Sequence, residues 1–173
     1  MKTNILVAAS LCGALAFAVA VSAQSKPVKV TLSDAAGKAV GTATLTETKT
    51  GVSIALDLNG LPAGEHAIHI HQVAKCEAPA FTTAGGHFNP ATKKHGLENP
   101  EGHHAGDMKN FTVAANGTAK ATVTDDAVTI ADGVNSIFTG GGTALVIHAA
   151  ADDMKTDPSG NAGARIACGV IVK

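Results

Sequence analysis

The sequence has no tryptophan, no tyrosine and only five phenylalanines in 173 residues. Its core must therefore come from valine, isoleucine, leucine and alanine. No basic block is present: 13 Lys and Arg stand against 14 Asp and Glu, for a formal net charge of −1. That balance excludes the footprint of a nucleic-acid binder and leaves no polybasic patch for a lipid surface. Cysteine is scarce, with three residues and no CxxC spacing, which argues against a redox-active dithiol. Convincing helical periodicity is missing throughout. Long apolar runs are missing too, with one exception at the start.

That exception is residues 1–23, where Lys2 is followed by small and apolar residues ending in VSA. The run approaches the ~20 residues that cross a bilayer. Its alanine richness and the small residues Val21 and Ala23 instead favour a cleaved export signal, cut after Ala23. Leu11 before Cys12 fits a lipid-attachment site poorly. Cleavage would leave 24–173 as a single domain of 150 residues with a net charge of −2, enough chain for a real core. The expected location is outside the cytoplasm, in a periplasm or fully secreted, with no membrane attachment after cleavage. Cys76 and Cys168 then remain as an even pair, read as a structural disulfide. They lie 92 positions apart, so the loop-entropy contribution is at the upper end, ~4–5 kcal/mol.

Short strands are expected at 27–33, 39–47 and 51–59. In the third, Val52, Ile54, Leu56 and Leu58 alternate with Ser53, Ala55 and Asp57. Further strands are read at 66–71, 110–114, 118–124, 143–149 and 164–172, with weaker ones at 126–130 and 135–138. Asn116-Gly117 is a hairpin turn. Two long loops, 72–109 and 150–163, carry little periodicity, and loops of that length need an external reason to be ordered. About eight strands without a helix imply an all-β fold: an antiparallel Greek-key β-sandwich or barrel.

The stretch HAIHIH at 66–71 raises the chemical question. In an extended strand His69 and His71 share one face while Ile68 and Ile70 share the other. Two imidazoles held side by side make half a metal site. Other candidates follow in GGHFNP (His87), KKHG (His95), HHAGD (His104, Asp107) and VIHA (His148). Histidine with carboxylate suits zinc or copper rather than calcium or magnesium. His87, His95, His104 and Asp107 can close a four-ligand shell suited to zinc. His69, His71 and His148, with a shared His87, can close a four-nitrogen shell suited to copper. His66 falls on the isoleucine face, where a buried structural role is expected. His103, next to His104, is an alternative zinc ligand.

HIH, GGHFNP, KHG, HHAGD, VIHAAADD and GNAGARIACGVI, in this order and spacing, resemble the copper/zinc superoxide dismutase family. The resemblance runs from about residue 66 to 172. It implies dismutation of superoxide to dioxygen and hydrogen peroxide, with copper alternately reduced and reoxidised. One copper per subunit would sit on His69, His71, His87 and His148. One zinc would sit on His87, His95, His104 and Asp107, with His87 as the bridge and proton carrier. The three-residue step to Asp107 selects His104 over His103. Asp152 matches the carboxylate linking His95 to His69, and Arg165 the arginine that guides the anionic substrate, with Lys155 as a further helper. The Cys76–Cys168 pair matches the family's intrasubunit disulfide. The sequence leaves open whether subunits pair as a homodimer. A metal-storage protein would be expected to lack a copper ligand or Arg165, and a two-zinc hydrolase would want more carboxylates.

Overall fold

The computed structural model describes residues 25–173; the expected signal segment 1–23 lies outside the described residues. Nine strands follow one another: β1 (Val28–Asp34), β2 (Ala39–Thr48), β3 (Gly51–Leu58), β4 (Gly64–His66), β5 (Ile68–His71), β6 (Phe111–Val113), β7 (Ala119–Asp125), β8 (Thr143–His148) and β9 (Arg165–Ile171). Seven of them form one sheet in the order β5-β8-β9-β1-β2-β3-β7, and β4 pairs with β6 in a second. Every pairing is antiparallel. The small sheet joins the two edges of the large one, because β4 runs into β5 and β6 leads to β7. The fold is all-β, as the alternating pattern predicts, and among the described residues only two single-turn 3₁₀ helices occur.

Alternation places the core. Val52, Ile54, Leu56 and Leu58 of β3 are all buried, while Ala55 and Asp57 face solvent. They pack with Leu32, Leu45, Ile68, Ile70, Leu145 and Ile147 in one aliphatic interior. Each fully buried side chain of this size contributes roughly 1.5–3 kcal/mol relative to exposure.

Strand β8 departs from alternation, since all six of its residues are buried. Leu145 and Ile147 enter the main interior, whereas Ala144 and Val146 pack outward against Phe81, Ala84 and Cys168. The long loop 72–109 therefore covers the outer face of this part of the sheet. It also covers the open edge of β5, which a bare sheet would expose. The Ile70 N–H donates to Gly106 O (2.9 Å), the Phe88 N–H to Ile70 O (2.8 Å) and the Gly106 N–H to Phe88 O (2.9 Å). Gly106 allows this approach, because a Cβ there would stand 2.2 Å from Ile70 O. The disulfide Cys76–Cys168 spans Cα atoms 5.6 Å apart and ties the same loop to β9.

Two expectations are corrected. The stretch 66–71 is not one strand: His66 pairs with Phe111 of β6, while Ile68–His71 pairs with β8. At the break, the Ala67 N–H donates to Ala150 O and Ala67 O accepts from the His148 N–H. The segments 126–130 and 135–138 form no named strand and share only an isolated bridge, Thr129 with Ser136. Thr129 bonds across to Asn135 O and the Ile137 N–H, and Glu47 of β2 accepts from Thr129 Oγ1 (2.9 Å) and the Ile130 N–H (2.5 Å). The Asn116-Gly117 turn forms, with the Ala114 N–H donating to Thr118 O, but its flanking strands enter different sheets.

Candidate metal centre

The outer face of β5 presents His69 and His71, and the end of β8 adds His148. Loop 72–109 supplies His87, His95, His104 and Asp107. All seven are buried. They converge in two sets, His69-His71-His87-His148 and His87-His95-His104-Asp107, and one atom from each member lies within 4.8 Å of the others in its set. His87 is common to both. Isolated bridges of His69 with Asp107 and of His71 with His87 lay the loop directly against β5, and this is what brings distant residues together.

In the second set, Asp107 Oδ1 lies 2.7 Å from His87 Nδ1, 3.1 Å from His95 Nδ1 and 3.3 Å from His104 Nδ1. His104 Nδ1 is 3.3 Å from His87 Nδ1. A tetrahedral shell with metal–ligand bonds near 2 Å requires its donor atoms to be about 3.3 Å apart. Two of these four distances equal that spacing, a third is close to it, and the Asp107–His87 distance is shorter. Asp107 Oδ2 accepts from the N–H groups of Gly96 (2.9 Å) and His104 (3.0 Å), which fixes the carboxylate.

In the first set, hydrogen bonds select the ring nitrogen that each histidine offers. His71 Nδ1 lies 2.9 Å from Gly85 O and His148 Nδ1 3.3 Å from Gly163 O. Carbonyls only accept, so these Nδ1 atoms carry the proton and Nε2 is left free. The two Nε2 atoms stand 3.4 Å apart. His69 is reversed: its Nε2 lies 2.7 Å from Asp152 Oδ2, leaving Nδ1. His69 Nδ1 and His87 Nε2 are buried polar atoms with no hydrogen-bond partner in the protein. Such orphans are costly unless something binds them, and a metal between the four nitrogens is the group that fits.

Asp152 joins the two sets, because its carboxylate also lies 3.0 Å from His95 Nε2. Its backbone is clamped by Asn110, which accepts from the Asp152 N–H and donates to Asp152 O, both at 2.9 Å. No sequence signal had marked Asn110. Nor could one mark the Gly85 and Gly163 carbonyls, since any residue carries that group.

Burial and charge tune the imidazoles. Burial pulls His71 down to about 2, with the neighbouring His87 adding to it. Burial likewise lowers His148 to about 3 and His87 to about 4. These rings are neutral near pH 7, with lone pairs available for a metal. His95 goes the other way. Burial opposes its charge, but hydrogen bonds to Asp107 and Asp152 outweigh that and raise it to about 9. Asp107 is held well below the carboxylate range by His104, His87 and His95, despite burial.

His71, His87 and His148 open onto a surface cavity of about 570 Å³ that Arg165, Pro158 and Ser159 also line. The Arg165 guanidinium donates from Nη1 to Phe81 O (2.6 Å) and from Nη2 to Gly85 O (2.7 Å). Gly85 O thus serves Arg165 and His71 together. Lys155 is not among the lining residues; its Nζ pairs with Glu98 at 2.8 Å, with both groups exposed. Its charge is matched by an acid. His66 is buried, with its ring nitrogens 2.8 Å from His148 O and 2.9 Å from Pro62 O, a structural role as expected. His103 joins neither donor set.

Fold and donor sets together define a class: an antiparallel β-sandwich protein with a two-compartment metal-binding centre built mainly from histidine. Comparison with known proteins makes this particular. A family model described as copper/zinc superoxide dismutase (SODC) matches residues 39–171. The chain is 49% identical over 163 residues to superoxide dismutase [Cu-Zn] 2 of Aquifex aeolicus, covering 93% of this chain and 95% of that one. Among solved structures, a SOD-like protein from Bacillus subtilis aligns with a TM-score of 0.81 at 38% identity, covering 87% of this chain and all of the other. The Cu/Zn superoxide dismutase from Brucella abortus aligns with a TM-score of 0.69 at 28% identity, covering 84% and 99%. The chain belongs to the copper/zinc superoxide dismutase family, oxidoreductases whose cofactors are copper and zinc.

Proposed function

We propose that this chain removes superoxide with copper held by His69 Nδ1, His71 Nε2, His87 Nε2 and His148 Nε2. Zinc would be held by His87, His95 and His104 through Nδ1, with Asp107. One observation carries this reading: both donor sets are complete, and His87 faces both, with Nδ1 toward one and Nε2 toward the other. Completeness matters because the fold is shared with a protein named only SOD-like.

When bound, copper supplies the one-electron chemistry that oxidises one superoxide to dioxygen and reduces the next to peroxide, beside a zinc ion that stays redox-inert. The chain's residues do the rest. Arg165 keeps its charge at any working pH and draws a small anion into the cavity. Two carbonyls hold its guanidinium beside His71, so the anion is received next to the copper set. In this reading His87, through Nε2, would carry a proton to the reduced product. Asp152 holds His69 and His95 in the tautomers that their metals require.

Residues 1–23 read as an export signal removed after Ala23, with the mature chain in the periplasm. The Cys76–Cys168 disulfide supports an oxidising compartment, and among the described residues no helix is long and apolar enough to cross a membrane.

Metal analysis of the purified protein, paired with a superoxide-consumption assay, tests the reading. One copper and one zinc per chain, with activity lost on removing copper and regained on restoring it, is the expected result. Consumption that survives copper removal would overturn it.

A further inference from the structure

His95 is fully buried, and every polar group it carries is engaged. Its Nδ1 belongs to the zinc set, its Nε2 meets Asp152, and its carbonyl accepts from Asn99 Nδ2 at 3.1 Å. Its backbone N–H donates to Asp157 Oδ1 at 2.7 Å, across 62 residues of chain. The next two residues, Pro158 and Ser159, line the cavity that holds Arg165. A single carboxylate therefore joins the backbone of a zinc-set residue to the wall of the substrate cavity.

The segment that carries Asp157 is braced so that displacement at one end reaches the other. Asp153 accepts from the N–H groups of Lys155 (3.0 Å) and Thr156 (2.8 Å) and from Asn161 Nδ2 (2.9 Å). The Gly160 N–H donates to Thr156 O. The segment also rests directly on the zinc side: Met154 O accepts from the Glu98 N–H at 3.1 Å. Gly96, at φ +106°, passes so close that a Cβ would stand 2.1 Å from Met154 O. A buried N–H such as that of His95 must keep an acceptor, and the acceptor it has is on the cavity loop.

We infer that Asp157 is a positioning residue that couples His95 to the Pro158–Ser159 wall, so that zinc occupancy and cavity shape are set together. The inference rests on the zinc assignment proposed above. It differs from the Asp152 link, which acts on the imidazole rings of His69 and His95 and packs against the same loop at Gly160, whereas Asp157 holds the His95 backbone.

The test uses the mature protein loaded with copper and zinc, and two readouts other than activity. The first is the rate of zinc release to a competing chelator. The second is hydrogen exchange of the peptide covering 155–161, with and without zinc. Outer partners of ligands are worth about 10–100-fold in metal affinity; Asp157→Ala is therefore expected to release zinc about tenfold faster. Protection of 155–161 should depend on zinc in the parent and lose that dependence in Asp157→Ala. Asp157→Asn keeps an acceptor oxygen and should behave like the parent in both measurements. Unchanged release, or exchange raised equally with and without zinc, would overturn the coupling and leave Asp157 a loop-stabilising residue. Asp157→Asn that loses zinc as fast as Asp157→Ala would also overturn it, since charge rather than the accepted hydrogen bond would then be responsible. A parent chain that takes up no zinc would instead overturn the zinc assignment itself, an outcome visible before any variant is compared.

Discussion

The two faces of strand β5 are built on opposite principles. Ile68 and Ile70 look into an aliphatic interior that closes without any ligand. His69 and His71, one residue away in each case, look into a space where seven buried polar side chains meet and two nitrogens have no protein partner. The first face is held by area removed from water. The second is held by geometry: the loop 72–109 lies along the β5 edge, the disulfide anchors it, and the metals complete what the protein leaves open. A protein of this kind should lose function and stability through separate substitutions.

The largest effect is expected on the polar face. His148→Ala should abolish stoichiometric copper and cut superoxide consumption at least about a hundredfold, beyond the cost of losing an outer partner. The circular dichroism and melting of the metal-free protein should stay close to the parent's. A metal-free protein that melts far below the parent would break the separation.

Next comes the apolar face. Ile70→Ala empties a fully buried site and should cost about 2–5 kcal/mol in denaturant unfolding of the metal-free protein. Activity per bound copper should be unchanged. If copper affinity fell in step with stability, the two faces would be one cooperative unit.

Arg165→Ala sharpens the polar side. Both metals should remain, while the rate at low ionic strength falls about tenfold, the low end of electrostatic steering. The salt dependence should flatten with it. An unchanged salt dependence measured by stopped flow would remove Arg165 from steering.

The smallest effect lies at Asp125, the last residue of β7. Burial pushes Asp125 up to about 8 from its ordinary 3.8, and its Oδ2 has no partner. Below pH 4 the carboxyl is protonated in both folded and unfolded chains, so its contribution is fully present. Between pH 4 and 8 the unfolded chain loses a proton that the folded chain keeps, and stability declines. Asp125→Asn should remove that slope, gaining at least about 1 kcal/mol relative to the parent between pH 4 and pH 8. Parallel stability curves for the two proteins would show Asp125 to be solvated.

Much of this was legible in the letters. The alternation of Val52, Ile54, Leu56 and Leu58 marks a strand with one buried face, because side chains in an extended chain point to opposite sides. The same rule assigns His69 and His71 to a common face. Other features were not legible. Ala67 breaks the strand because its N–H and C=O find partners at Ala150 and His148, far away in sequence. The weak alternation at 126–130 gave way where Glu47 took the Ile130 N–H. Nor did the letters show that Lys155 pairs with Glu98, far along the chain. In each case a partner distant along the chain outweighed the local pattern.

The sequence by itself determined most of the strands, the disulfide pair and the donor atoms' chemical kind, because these follow from side-chain identity and period-two burial. Only the tertiary structure decided which nitrogen of each histidine faces which neighbour, since that choice belongs to Gly85 O, Gly163 O and the Asp152 carboxylate. It also decided that Arg165 shares an acceptor with His71 and that Asp157 grips His95. Hydrogen bonds between distant segments are directional and short in range, so they exist only once the chain has folded.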